Sequence, residues 1–137
     1  MSRPILLDTC ALIWLANNER LRSAAIDALR EMETTPAGIL ASPISAWEVG
    51  QLVAKGRLRL SKDPMSWFQE LLDRGVALAP MPPLVLVRSS FLPDARLHDP
   101  ADRIIAATAR EFGYRLMTRD RPLLEFADAG HAQAIAC

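Results

Sequence analysis

Cysteine is scarce in this 137-residue chain: Cys10 and Cys137 lie near its two ends, too few and too distant in sequence for a disulfide framework or a thiolate metal site. A reducing compartment fits that usage. Long apolar runs are missing too, and no stretch approaches the ~20 residues that a bilayer requires. The N-terminal apolar segment is broken by Asp8, so it lacks the continuous core of a signal peptide. Charge of either sign is not in excess, with 16 Lys plus Arg against 16 Asp plus Glu. That balance argues against a general basic field as the main means of holding nucleic acid, without excluding nucleic acid as a partner. Arginine far outnumbers lysine among the bases, and arginine is the better bidentate partner for phosphate and carboxylate. Repeats, biased tracts and interdomain linkers are absent. What remains is the expectation of one cytoplasmic domain spanning residues 1–137, long enough to bury about two-thirds of its unfolded surface.

Within that domain short apolar runs alternate with helical patterns. Ile5-Leu6-Leu7, Gly38 to Ala41, Val76 to Ala79, Arg115 to Thr118 and Ala132 to Ala136 read as strands. Leu12 to Ala16 reads as a short helix. From Arg20 to Met32 the apolar residues Leu21, Ala24, Ala25, Ala28, Leu29 and Met32 form a stripe of helical period. Ser42-Pro43, Asp63-Pro64 and Asp99-Pro100 are cap-then-proline signals that open helices. The first of these carries Trp47, Glu48 and Val49; the last places Ile104, Ile105, Thr108 and Phe112 inward and stops at Gly113. Leu84 to Ser90 and Arg121 to Phe126 complete the helices. Strands spaced by helices predict a parallel sheet of four to five strands covered on both faces, an α/β/α sandwich.

Four acids stand at the edges of these elements. Asp8 and Asp120 follow strands, and Glu48 and Asp102 lie in the first turns of helices. Each has an ordinary structural explanation. Asp99 reads as an N-cap, Asp102 as a dipole partner or capping-box acid, Glu48 as a capping-box partner of Ser45, and Asp120 as a cap for the turn at Arg121-Pro122. The combination carries more weight, because strand C-termini and helix N-termini share one edge of a parallel sheet. Four carboxylates on one crevice need a cation. Oxygen donors without His or Cys favour Mg²⁺ or Mn²⁺, whose retained waters and phosphate affinity suit phosphodiester hydrolysis.

Leu7-Asp8-Thr9, Ser45-Ala46-Trp47-Glu48, His98-Asp99-Pro100-Ala101-Asp102-Arg103 followed by Ile105-Ala106-Ala107-Thr108-Ala109, and Thr118-Arg119-Asp120 together resemble the PIN-domain ribonucleases, in particular the VapC-type toxins of bacterial toxin–antitoxin pairs. The resemblance runs in order over nearly the whole chain. It implies a PIN-like α/β/α sandwich, a Mg²⁺- or Mn²⁺-dependent endoribonuclease acting on RNA, a homodimer, and inhibition by a cognate antitoxin protein. It places Asp8, Glu48, Asp102 and Asp120 at the acid positions, with Asp8 and Asp102 as principal metal ligands. Thr118, Thr9 and Arg103 fall beside them as substrate contacts or supports of the acids, and for Arg103 an acid partner is the first expectation. Where many relatives have Phe in an Asp-Pro-Phe-Asp-Arg stretch, this chain has Ala101.

The remaining candidates have structural readings. His98 reads as a loop residue, Cys10 as packing beneath the site, and Trp14 and Trp47 as core. Leu12, Trp14, Leu52 and Trp67 are alternatives for a dimer surface. Two other functions stay open: a PIN scaffold that binds RNA or protein without cutting, and a phosphohydrolase using Asp8 as nucleophile. The second normally needs another Asp two positions on, where this chain has Cys10.

Overall fold

The computed structural model describes residues 2–94 and 96–137. Five parallel strands form one sheet in the order β3-β2-β1-β4-β5: β1 Ile5–Leu7, β2 Ile39–Ala41, β3 Ala77–Leu78, β4 Arg115–Thr118 and β5 Gln133–Ala136. Among the described residues, seven helices connect them: α1 Thr9–Ala16, α2 Ser23–Met32, α3 Pro43–Ala54, α4 Pro64–Asp73, α5 Pro83–Arg88, α6 Pro100–Phe112 and α7 Arg121–Asp128. A single 3-10 turn, Ser89–Phe91, follows α5. The expected α/β/α sandwich is present.

Strand β1 is buried on both faces, as a central parallel strand must be. Its side chains alternate between two cores. Ile5 and Leu7 pack with Leu12, Leu29, Met32, Phe68 and Met117 on one face, whereas Leu6 packs with Leu40, Ile105, Leu116, Leu123 and Phe126 on the other. Leu6 is wholly inaccessible to solvent. Leu6→Ala is therefore expected to cost about 3 kcal/mol of stability, measured as a shift in the urea midpoint.

Chain order in the sheet reverses at β1, which pairs with β2 through Leu7 and Ala41 and with β4 through Leu7 and Met117. A crevice opens beyond the strand ends at such a switch point, and it is where open α/β sheets place ligands. Helices α1, α3 and α7 follow β1, β2 and β4 directly and so enter the same edge with their N-termini. Asp8, Ser42, Asp63, Asp99 and Asp120 each cap the helix that follows through a side-chain oxygen.

Several boundaries differ from the sequence expectation. Helix α1 begins at Thr9, three residues earlier than predicted, because Asp8 is itself the cap. In α6 the buried residues are Ala101, Ile105, Ala106, Ala107, Thr108 and Ala109, whereas Ile104 is half-buried and Phe112 is exposed. Gly113 ends α6 at φ 70°, in the left-handed region that favours glycine, and a Cβ there would meet Arg3 Nη1 at 2.0 Å. Leu12 and Trp67 are core residues and not surface, and Trp47, expected in the core, is 57% exposed.

Candidate active site

Asp8 is fixed at the end of β1 by the two elements on either side of the crevice. The Ala11 amide donates to its Oδ1 at 2.7 Å, and the Thr118 hydroxyl donates to its Oδ2 at 2.5 Å. The Asp8 amide continues the sheet ladder by donating to Met117 O at 3.1 Å. Asp8 is buried, and so are Thr9, Ser45 and Thr118. A buried carboxylate with so few donors is poorly solvated. Burial therefore pushes its pKa upward, the bonds from Thr118 and Ala11 oppose the shift, and the charge of Asp120 adds to it.

Thr118 ties Asp8 to the fourth acid. Its hydroxyl accepts from the Asp120 amide at 3.0 Å, and Asp120 Oδ2 in turn accepts from the Leu123 amide at 3.1 Å to open α7. On the far side of the crevice Thr9 performs the same service for Glu48. Its hydroxyl donates to Glu48 Oε1 and lies 2.8 Å from the Ser45 hydroxyl, so α1 and α3 are joined through two small polar side chains. Ser45 and Glu48 are three residues apart on α3, which places both on one face. Glu48 is raised mainly by burial, with Thr9 opposing and the charges of Asp99 and Asp8 adding.

Asp102 is the most perturbed acid. Its pKa is pushed up to about 8, first by burial and then by the charges of Asp99, Asp120, Glu48 and Asp8. All the other acids thus act on one carboxyl. Cys10 senses the same cluster: partial desolvation of its thiol, followed by the charges of Asp8, Glu48, Asp102 and Asp120, raises it to about 11. Acids drawn from β1, α3, α6 and the β4–α7 junction therefore share one negative cup.

The donor set suits a hard dication. Every group is a carboxylate or hydroxyl oxygen, and the pKa values of Asp8, Glu48 and Asp102 are raised by burial first and by the like charges of neighbouring acids second. Among the described residues, no three His, Cys, Asp or Glu side chains are grouped closely enough to cage an ion by themselves.

Residues 5–129 match the family described as the PIN domain. The chain belongs to the PIN domain family. It is 36% identical over 120 residues to Ribonuclease VapC22 of Mycobacterium tuberculosis (strain ATCC 25618 / H37Rv), a match covering 87% of this chain and 88% of that protein. Among solved structures, VapBC2 from Rickettsia felis bound to a DNA fragment from their promoter has a chain that superposes with a TM-score of 0.70 at 15% identity, covering 96% of this chain and 97% of that one. A toxin-antitoxin complex from Klebsiella pneumoniae has a chain that superposes with a TM-score of 0.61 at 23% identity, covering 96% of this chain and 95% of that one. At these identities the two superpositions speak for the fold alone.

Several expectations about this PIN domain change on inspection of the site. Among the described residues Arg103 pairs with no acid: its Nε and Nη1 donate to the carbonyls of Ser89, at 2.8 Å, and Leu97, at 2.5 Å, and so fasten the segment leading into α6. The cap of α3 is Ser42, which leaves Ser45 free to face Thr9 and removes the capping-box explanation of Glu48. Cys10 is exposed and does not lie beneath the site. Asp99 is a cap, accepting from the Asp102 amide at 3.0 Å, and its charge also reaches Glu48 and Asp102.

Two contributors escaped the sequence reading. Ser45 left one signal, a small hydroxyl one helical turn before Glu48. Arg119 left none: its guanidinium lies 3.9 Å from the centre of the Trp14 ring and donates to Cys137 O at 3.1 Å, holding β5 against α1 beside the cup.

Proposed function

We propose that this chain is a metal-dependent endoribonuclease, toxic when free and neutralised by a cognate antitoxin protein. The observation that carries this reading is the mutual electrostatic reach of Asp8, Glu48, Asp102 and Asp120 beside the switch-point crevice, with Asp102 raised to about 8 by burial first and by the neighbouring acids after it. Kinship with a ribonuclease over most of the chain supports the substrate class. A homodimer in the cytoplasm, with Mg²⁺ or Mn²⁺ as cofactor, completes the reading.

Asp8 and Asp102 would hold the dication, with Glu48 and Asp120 completing the shell through waters. Bound there, it would supply charge neutralisation for phosphate oxygens and an acidified water. The chain's own contribution is placement. Asp8 cannot rotate without giving up its bonds from Ala11 and Thr118, and the Thr9 bond turns Glu48 toward the crevice. With both Asp8 oxygens accepting hydrogen bonds, its carboxylate is set as a fixed anion more than as an attacking nucleophile, which disfavours the phosphohydrolase alternative. Near neutral pH and without a cation Asp102 retains its proton, so dication affinity should fall as pH drops below about 8.

Thr118→Val removes the hydroxyl that joins Asp8 to the Asp120 amide at nearly constant volume. It should lower cleavage by roughly 10- to 100-fold, the usual effect of losing a support to a metal-binding carboxylate, with weakened dication affinity measured in parallel.

The direct test is incubation of the purified chain with labelled RNA, with and without Mg²⁺ or Mn²⁺, alongside expression of the free chain in bacteria. Internal cleavage that EDTA stops, together with growth arrest, is expected. RNA bound and left intact in both dications would replace this reading with the non-catalytic scaffold.

A further inference from the structure

The acids crowd one edge of the sheet, and the opposite edge is basic. We propose that this second edge is an RNA-binding exosite that holds the substrate backbone several nucleotides from the bond that is cut. The inference rests on the ribonuclease reading and concerns a surface that reading does not use.

A concavity of about 650 Å³ opens near the starts of β1, β4 and β5, beside the last turn of α6 and the end of α5, and Arg3, Arg88, Phe91, Arg110, Tyr114 and His131 are among its lining residues. Glu111 is the one acid in that lining. All three arginines are exposed. Each makes one hydrogen-bonding contact, Arg3 donating to Gly113 O at 3.2 Å, Arg88 to Glu111 Oε2 at 2.6 Å and Arg110 to His131 O at 2.5 Å, and the Arg110 guanidinium also lies 5.9 Å from the centre of the Phe126 ring. A guanidinium carries five donors, so most remain free for phosphate.

Charge alone would suit an acidic peptide equally well. The aromatic surface decides for nucleic acid, because Phe91 is 80% exposed beside these guanidinium groups and Tyr114 stacks on Phe112 with ring centres 5.7 Å apart. A basic groove with rings on which bases can stack is how proteins hold single strands.

Helix α6 links the two edges rigidly. Asp102 lies in its first turn and Arg110 in its last, eight residues on, which is ~12 Å along the axis at 1.5 Å per residue. Roughly three to four stacked nucleotides span that length. The chain carries no net charge, and its acid cup repels phosphate until a cation fills it. A basic edge on the same helix supplies the hold that the cup lacks.

The test compares the full chain with Arg88→Gln/Arg110→Gln and with the charge-keeping Arg88→Lys/Arg110→Lys. The probe is a labelled single-stranded RNA of about 20 nucleotides, longer than the span between the edges. Its binding is read by anisotropy in EDTA over a salt series, and its cleavage in Mn²⁺ is compared with that of a dinucleotide, which is too short to reach from the cup to the second edge. The Gln pair should bind the long RNA about tenfold more weakly and lower the salt slope by about 1.4, the loss of two phosphate contacts at 0.7 each. KM for the long RNA should rise with kcat unchanged, the short oligomer should be cut as before, and the Lys pair should keep the slope. Should the Gln pair melt at a lower temperature, Phe91→Ser, a change confined to an exposed ring, is expected to weaken long-RNA binding in the same assay. Unchanged affinity and slope in the Gln pair, or altered self-association in place of RNA binding, overturns the exosite. If the parent chain binds with a slope that the Gln pair loses, yet cuts nothing, the exosite stands and the ribonuclease reading falls.

Discussion

Asp8→Asn is expected to leave the fold standing and to reduce RNA cleavage by about a thousandfold or more, the scale on which a fixed charge at the reacting centre acts. The fold survives because asparagine preserves the local bonding. Its Oδ1 still accepts from the Ala11 amide as an N-cap, and asparagine caps as well as aspartate. The Thr118 hydroxyl has two lone pairs, so it can accept from the new amide while still accepting from the Asp120 amide. In the proposed mechanism chemistry suffers because the cup loses one of the two carboxylate charges that would hold the dication. Circular dichroism should superpose on that of the parent chain while a labelled RNA stays uncut in Mg²⁺ and in Mn²⁺. Retained cleavage would remove Asp8 from the mechanism.

The second large effect concerns stability without metal. Asp8, Glu48 and Asp102 all have raised pKa values, so the folded chain holds protons that the unfolded chain has already released. Stability from such groups is complete below the ordinary carboxylate value near 4 and is lost as pH rises through the folded values, which for Asp102 means up to about 8. Asp63, Glu70 and Asp94 are shifted the other way, and their stabilisation is lost only as pH falls below that ordinary value. Between pH 5 and 8 the cup therefore governs the slope. The apo chain should lose about 2 kcal/mol over that range, well under the full shift because the crevice admits water. That corresponds to roughly 6 °C in melting temperature. Millimolar Mn²⁺ should abolish the loss by binding the folded state alone. Asp102→Asn should raise the apo melting temperature at pH 8 and remove most of the response to Mn²⁺. A flat apo profile, or one rising with pH, would show that the acids do not repel one another.

Much of this architecture is legible in the residues, and the failures have physical causes. Helix α6 announces itself at both ends, by Asp99-Pro100 and by Gly113, so its limits emerge correctly. Helix α1 does not, because Thr9–Ala16 is apolar almost all round and offers no amphipathic stripe from which to count its start. Trp47 misleads because an indole beside an acid on a helix reads as core, whereas the inward face of α3 is occupied by Ser45 and Val49.

The site is legible in type before it is legible in detail. Asp8, Glu48, Asp102 and Asp120 can be singled out because each follows a strand or lies in the first turns of a helix, and the structure has Asp8 at the end of β1, Glu48 and Asp102 in the first two turns of α3 and α6, and Asp120 between β4 and α7. The hydroxyls of Thr9, Ser45 and Thr118 that aim them are tertiary contacts between segments as far apart as Asp8 and Thr118. No spacing rule in the chain encodes such pairs. Arg103 shows the converse: a guanidinium next to an acid in sequence is drawn to backbone carbonyls.

The central claim is that one cup of four acids traps one kind of hard cation. Crystals soaked in Mn²⁺ and measured at the manganese absorption edge test it most directly. Anomalous density should appear among Asp8, Glu48, Asp102 and Asp120, within direct or water-mediated reach of Asp8 and Asp102, and should vanish in Asp8→Asn. Density confined to other surfaces, or an empty cup at saturating Mn²⁺, would contradict the account.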